Sequence, residues 1–308
     1  MHRNAQLWAA VMVHVFAAGA ALAGTPDFSG LWTNASITTL ERPAVFRVLE
    51  LSEAEALAYE KAHPGTPEPT RGDAVGQDET EWWEMGAKLA RLGGRARSSW
   101  IVEPLDGLLP YSADGLAALK ASQMKARSFD DPEARPAAER CLMGLHGSSL
   151  PPMMNTSYNN HLQIVQTGDH LVIVPEMSAG PRIVHLRAAA APPGGAWSGH
   201  SVGRWEGQTL VVETTGFHPQ AQWRAPGRLF ISSGAKVTER FTQTTADELL
   251  YQFQVDDPAI YSRIWKGEMP LRRVAGPMFE FACHEGNYSL PGILAGARKV
   301  ERDAAAAH

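Results

Sequence analysis

Long apolar runs are scarce in this 308-residue chain, and the only extended stretch of that kind, residues 7–22, lies close to the N-terminus. A membrane-embedded helical bundle is therefore excluded for the rest of the chain. Lys/Arg clusters are missing too, and the formal charge is −5, which excludes nucleic acid or an anionic membrane surface as the main partner. There are only two cysteines, Cys141 and Cys283, and they do not stand at metal-ligand spacing. Neither His-Glu-x-x-His nor His-x-His occurs, so no metal and no cofactor is expected. Phosphate-cradling glycine loops and dinucleotide fingerprints are absent, which removes the usual nicotinamide and flavin chemistry. The run Gly199-His200-Ser201-Val202-Gly203 has the spacing of a nucleophile elbow but lies among strand-forming residues, without the strand–turn–helix context an elbow requires. With 44% hydrophobic and 20% charged residues, what remains is a globular protein with a sizeable core.

The N-terminus has the layout of an export signal: Arg3, an apolar run from Leu7 to Leu22, and Ala21-Leu22-Ala23 as the small-residue cleavage site. Residues 1–23 read as a cleaved signal peptide, giving a mature chain that starts near Gly24 in the periplasm. The run is short, rich in Ala and interrupted by His14, which disfavours a membrane anchor, and no Cys follows it to receive a lipid. Cleavage removes one cation and no anion, taking the formal charge from −5 to −6. In an oxidising compartment Cys141 and Cys283 can pair, closing a loop long enough to contribute up to about 5 kcal/mol; two buried free thiols are the alternative.

Residues 24–150 read as a mostly helical region. Asp27–Trp32 resembles a short strand entering the fold. Ser52 with Glu55 forms a capping box for a helix ending at His63-Pro64-Gly65. Residues 64–76 read as an exposed loop. Asp78 with Glu81 opens a second helix through Trp82, Trp83 and Met85 that stops at Gly93-Gly94. A third helix follows Ser112 to about Arg127, and Asp131-Pro132 starts a fourth.

From Tyr158 the hydrophobic period changes to two. The stretch Gly203–Phe217 is a hairpin with its positive-φ residue at Glu206-Gly207 or Gly207-Gln208. Similar strands surround it: 161–166, 170–176, 182–186, 236–244, 248–256, 262–272 and 278–284. The fold class expected over residues 151–300 is an antiparallel up-and-down, lipocalin-like β-barrel, mainly β with N-terminal helices packed on it, followed by a disordered tail at 301–308.

Period two also assigns faces. Leu249, Tyr251, Phe253 and Val255 point inward together, as do Phe279, Phe281 and Cys283. Glu239 shares the inward face of Val237 and Phe241, Glu176 that of Val172 and Val174, and Glu213 that of Val211. A carboxylate among apolar neighbours finds a cation or takes a proton. Buried pairs with Arg182, Arg204 or Arg240 would merely fix the barrel; convergence would make a polar-lined site. The expected cluster is Tyr158, Asn160, Glu176, Arg182, His200, Glu206, Glu239 and His284. In it Glu176 is the base, His200 or His284 the proton donor, and Arg182 the partner of an acidic or phenolic oxygen, with Tyr158, Asn160, Glu206 and Glu239 lining the substrate. His161, His170 and His185 complete the histidines on or beside strands.

Tyr158-Asn159-Asn160, Gln163–Thr167, Glu176-Met177, Gly203–Phe217, Glu239–Thr242, Val255–Pro258, Ala282–Tyr288 and Asp27–Trp32 together resemble a large, largely uncharacterised family of exported proteins from Gram-negative soil and water bacteria. The resemblance spans nearly the whole mature chain and implies no catalytic residues. The chain departs from the family's usual pattern at Gln208, where Asp is typical, at Gly216, where Asn is, and at Gly194-Gly195. Two readings follow. One is a cofactor-free acid/base lyase or isomerase acting on a small aromatic, lignin-type compound; the other is a periplasmic ligand-binding or envelope-associated module with no turnover.

Overall fold

A computed structural model describes residues 24–65, 84–144, 150–158, 160–178, 180–221, 223–224 and 229–307. The signal-peptide reading of 1–23, the start of the expected Asp78 helix with Trp82 and Trp83, and Asn159 lie outside the described residues. The strands, in chain order, are β1 Gly30–Thr33, β2 Glu50–Leu51, β3 Arg91–Leu92, β4 Arg95–Arg97, β5 Ile101–Glu103, β6 His161–Gln166, β7 His170–Pro175, β8 Arg182–His185, β9 His200–Glu206, β10 Thr209–Thr215, β11 Trp223–Arg224, β12 Leu229–Phe230, β13 Lys236–Thr245, β14 Glu248–Asp256 and β15 Trp265–Arg273. The helices are α1 Glu53–Ala62, α2 Ala113–Lys125, α3 Cys283–Gly286 and α4 Ser289–Ala306, with a 3₁₀ turn at Pro132–Ala134.

Nine of these strands close a barrel in the order β1-β6-β7-β8-β9-β10-β13-β14-β15, with β15 pairing back to β1 and β5 attached outside the ring. Strand directions cannot alternate all the way round an odd ring, so one neighbouring pair must be parallel. That pair is β8–β9, with Val184 opposite Ser201; every other pair in the ring is antiparallel. The barrel is thus mixed rather than purely up-and-down. The reason lies in residues 186–199, which carry the chain back to the starting end of β8 before β9 begins, where a tight turn would have reversed it. The hairpins read from sequence are present. Glu206 pairs with Thr209 around Gly207-Gln208, where Gly207 has φ +62°, and β6 joins β7 through Thr167–Asp169.

The barrel is filled. Trp32, Tyr251, Phe241, Trp265, Leu249, Val255 and Val237 are wholly buried and pack into one cluster with Phe28, Trp100 and Phe253. Gly267 makes this packing possible: it stands opposite Phe253, and a Cβ there would lie 2.2 Å from the Phe253 ring.

Outside the barrel, α1 and α2 form where the caps predict, with the Ser52–Glu55 capping box intact and Ser112 accepting from the Gly115 N–H. Three expectations are corrected. Gly93-Gly94 does not end a helix; both residues have positive φ and turn the β3–β4 hairpin. Residues 278–284 are not a strand: the chain leaves β15 at Arg273, the Phe279 N–H goes to the Glu176 side chain instead of a ladder, and α3 begins at Cys283. Phe279 is consequently half exposed rather than inward. The C-terminus is not an unstructured tail but the end of α4, whose Leu290, Ile293, Leu294 and Ala297 recur at helical spacing and whose Lys299 pairs with Asp303. A disulfide joins Cys141 to Cys283, with Cα atoms 5.7 Å apart, so it ties residue 141 to α3 rather than to a strand. Among the described residues no helix is long and apolar enough to cross a membrane.

Candidate functional site

Alternation along β13 turns Val237, Glu239 and Phe241 inward, and the first residue of β8, Arg182, enters the same interior. Both charged side chains are essentially inaccessible, at 1% and 0%. Arg182 Nη1 donates to Glu239 Oε1 at 2.9 Å and Nη2 to Oε2. Nε reaches Ser201 Oγ and Nη2 also reaches Thr214 Oγ1, each at 3.0 Å. Tyr251 donates its hydroxyl to Glu239 Oε1 at 2.8 Å and accepts the Met153 N–H at 2.9 Å. Burial works against the Arg182 charge, but the Glu239 carboxylate outweighs it and the guanidinium pKa is raised. Burial, reinforced by the Glu239 charge, pushes the Tyr251 phenol well above its ordinary value. Arg182 and Glu239 neutralise each other, and with Ser201, Thr214 and Tyr251 they form a network that joins five strands, β8, β9, β10, β13 and β14. The elbow-like Ser201 is part of it, 1% exposed on β9.

The second constellation sits where β6 begins and β7 ends. Their antiparallel register places Leu162 opposite Pro175, so His161 lies opposite Glu176, whose N–H donates to the His161 carbonyl at 2.9 Å. The two side chains meet as well, His161 Nδ1 lying 3.1 Å from Glu176 Oε2. On the other side of the ring, His161 Nε2 is 2.7 Å from Glu84 Oε1. Each carboxylate is held through its remaining oxygen by a backbone N–H: Phe279 donates to Glu176 Oε1 at 2.5 Å and Asn160 to Glu84 Oε2 at 2.9 Å. Glu176 is 1% exposed, His161 12% and Glu84 33%, so the cluster is graded from interior to solvent.

Two nitrogen–oxygen contacts require two hydrogens, and a neutral imidazole carries one. A neutral ring can therefore donate to one of the two carboxylates at a time. Burial raises the Glu84 pKa above its ordinary 4.5; the His161 charge and the Asn160 N–H oppose this and the Glu176 charge adds to it. Ligand atoms of the three residues lie within 4.8 Å of one another, a spacing that could admit a cation. The carboxylates, however, engage opposite nitrogens of one ring. One ion cannot use both ring nitrogens, so an ion at Nε2 beside Glu84 would leave Glu176 orienting the imidazole from behind.

The expected site residues divide accordingly. Glu176 and Asn160 come together, Asn160 through its hydrogen bonds to Glu84, and Tyr158 lies two residues away with its carbonyl accepting from Thr156 Oγ1 at 2.7 Å. Glu176 does share the face of Val172 and Val174, but that face is the outer one, since β7 turns Leu171, Ile173 and Pro175 inward. Arg182 and Glu239 form the interior pair. Glu206 is exposed at the β9–β10 turn, bridging Arg204 and Arg240 on the outer surface, and Glu213 pairs with Arg204 and Lys236 there. His284 is exposed on α3, and His200 faces outward on β9 because its neighbour Ser201 faces in. Neither histidine is at the cluster. Reading the sequence by faces missed His161 and Glu84. The hairpin register would have found the first: Gln166 opposite Leu171 implies His161 opposite Glu176. Nothing local announces Glu84, which arrives from 77 positions before His161 in the sequence.

Compared with models of known protein families and with curated proteins, the chain has no match.

Proposed function

We propose that the protein is an exported proton-transfer enzyme, a lyase or isomerase of a small organic molecule, working at Glu84, His161 and Glu176. The observation that supports this reading is the single imidazole held between two carboxylates, one buried and one facing solvent. Glu84 and Nε2 of His161 exchange a proton with the substrate, while Glu176 behind Nδ1 stabilises the imidazolium that forms. In an elimination, the proton taken from carbon is returned to the leaving group; in an isomerisation it is returned to a different carbon. No cofactor is needed for either. Arg182 is not part of this chemistry, since Glu239 already occupies its guanidinium.

A non-catalytic ligand-binding or envelope-associated module is the second reading. It is favoured by the filled barrel interior, where Arg182, Ser201, Thr214, Glu239 and Tyr251 hydrogen-bond to one another.

The deciding experiment incubates the mature protein with aromatic metabolites, lignin-type dimers included, with and without chelator, and follows product by mass. Turnover abolished in His161→Gln and retained in a Glu206→Gln control supports the enzyme. Ligand retention without product, unchanged in His161→Gln, selects the binding module.

A further inference from the structure

A cleft of about 130 Å³ opens outside the barrel, where the end of α2 meets residues 133–143 and Pro219-Gln220. That size is close to the roughly 150 Å³ of a cavity that holds one benzene ring. None of Glu84, His161 and Glu176 lines it. Its floor is apolar and fixed: Ala137 and Met143 are buried in a cluster with Leu150 and Ala221, and Pro136 and Pro219 add stiff walls.

The cations around the cleft are not equivalent. Arg135 is fully engaged, with Nε and Nη2 on the two oxygens of Glu139 at 2.9 Å and Nη1 on the Ala126 and Ser128 carbonyls. Its cap on Ala126 covers the carbonyl end of α2, which would otherwise repel an anion. Lys125 and Arg140 are different: among the described residues neither forms an ion pair. The bond that holds Arg140 at the cleft, Nη1 to Gln220 Oε1 at 3.1 Å, goes to a neutral amide and leaves the charge unneutralised. The one acid on the lining, Glu133, is exposed and pairs with neither. Two uncompensated cations beside an apolar floor are complementary to an organic anion.

We propose that this cleft binds a small aromatic carboxylic acid, its ring against Pro136, Ala137, Met143 and Pro219 and its carboxylate on Arg140 and Lys125. A guanidinium presents paired N–H groups that match the two oxygens of a carboxylate. The Met143 thioether makes a favourable contact with an aromatic ring that an alkyl chain does not offer. Arg140 is held in advance of binding, because Cys141 beside it is tied to Cys283 and Gln220 fixes its side chain.

The test titrates the disulfide-bonded mature chain with benzoate by calorimetry and follows its backbone amide signals by nuclear magnetic resonance. Saturable binding of one equivalent should move the signals of residues 133–143 and 219–220. Benzamide on the unaltered protein, and benzoate on Arg140→Gln, should each bind about tenfold more weakly, the loss of one charge-assisted contact. Absence of saturable benzoate binding overturns the proposal. Benzamide binding as tightly as benzoate does so without any variant. Benzoate affinity that survives Arg140→Gln also overturns it, as does inorganic phosphate binding equally tightly, which would make the cleft a site for anions in general. Signals that move around Glu84 and His161 instead would place the acid at that cluster and not in the cleft.

Discussion

Phe279 donates its backbone N–H to Glu176 four residues before Cys283 is tied to Cys141. The segment from Val274, whose N–H donates to the Leu31 carbonyl, to Ala282 is thus a strap with one end on the barrel and the other on a disulfide, crossing Glu176, the most buried member of the Glu84–His161–Glu176 cluster. A Cys141→Ser/Cys283→Ser protein should keep its barrel and lose the strap's order. Hydrogen exchange is expected to accelerate at residues 274–282 while β13 and β14 stay protected, with a stability loss of about 2–5 kcal/mol by denaturant titration. Equal protection with and without the disulfide would show that the strap holds itself.

Glu239→Gln leaves the Arg182 guanidinium buried without a counter-charge. The expected loss is about 3–5 kcal/mol in urea unfolding. Arg182→Met/Glu239→Leu, which removes both charges at similar volume, should lose much less than the two single variants combined. Additive losses would mean that the pair does not act as a unit.

Glu84 sets a pH dependence whose sign is fixed by its raised pKa. Below the ordinary value of 4.5, folded and unfolded chains both hold the proton. As the pH rises from there through the higher folded value, the unfolded chain gives up its proton first, so the folded state is progressively disfavoured. Glu84→Gln removes that slope. Wild-type stability relative to Glu84→Gln should therefore decline as the pH rises across this window; an increase would place the Glu84 pKa below its ordinary value.

Gly267→Ala drives a methyl group into the far end of the Phe253 ring, 2.2 Å from Cζ. That ring is packed edge-on against Trp265 at 5.7 Å, so moving it disturbs the filled interior. The expected cost is about 1–3 kcal/mol, seen as a lower melting temperature.

Local rules carried much of the barrel. Alternation named the inward faces of β13 and β14, and the turn glycines placed the β9–β10 and β6–β7 hairpins. They also pointed to Glu239 as a buried carboxylate in need of a cation. Those statements depend on neighbours within a few residues, where side-chain period and backbone sterics decide the outcome. The same rules failed at Gly93-Gly94 and at residues 278–284, where a helix stop and a hairpin turn look alike, and where alternating aromatics fit an irregular strap as well as a strand.

Ring closure, the parallel β8–β9 pair and the Glu84–His161–Glu176 cluster belong to another level. Nine strands could close only by breaking the alternation of direction once, and the place of that break was set by the path of residues 186–199, a property of the whole ring. Cys141 and Cys283 were a candidate pair from composition alone, but only folding brought them to bonding distance and turned Phe279 onto Glu176. Glu84 and His161 likewise meet because separate parts of the chain pack at one end of the barrel. The sequence by itself determined which residues of β13 and β14 face inward and where the hairpins turn; the packing of distant segments decided which charges meet, because electrostatic partnership depends on distance in space and not along the chain.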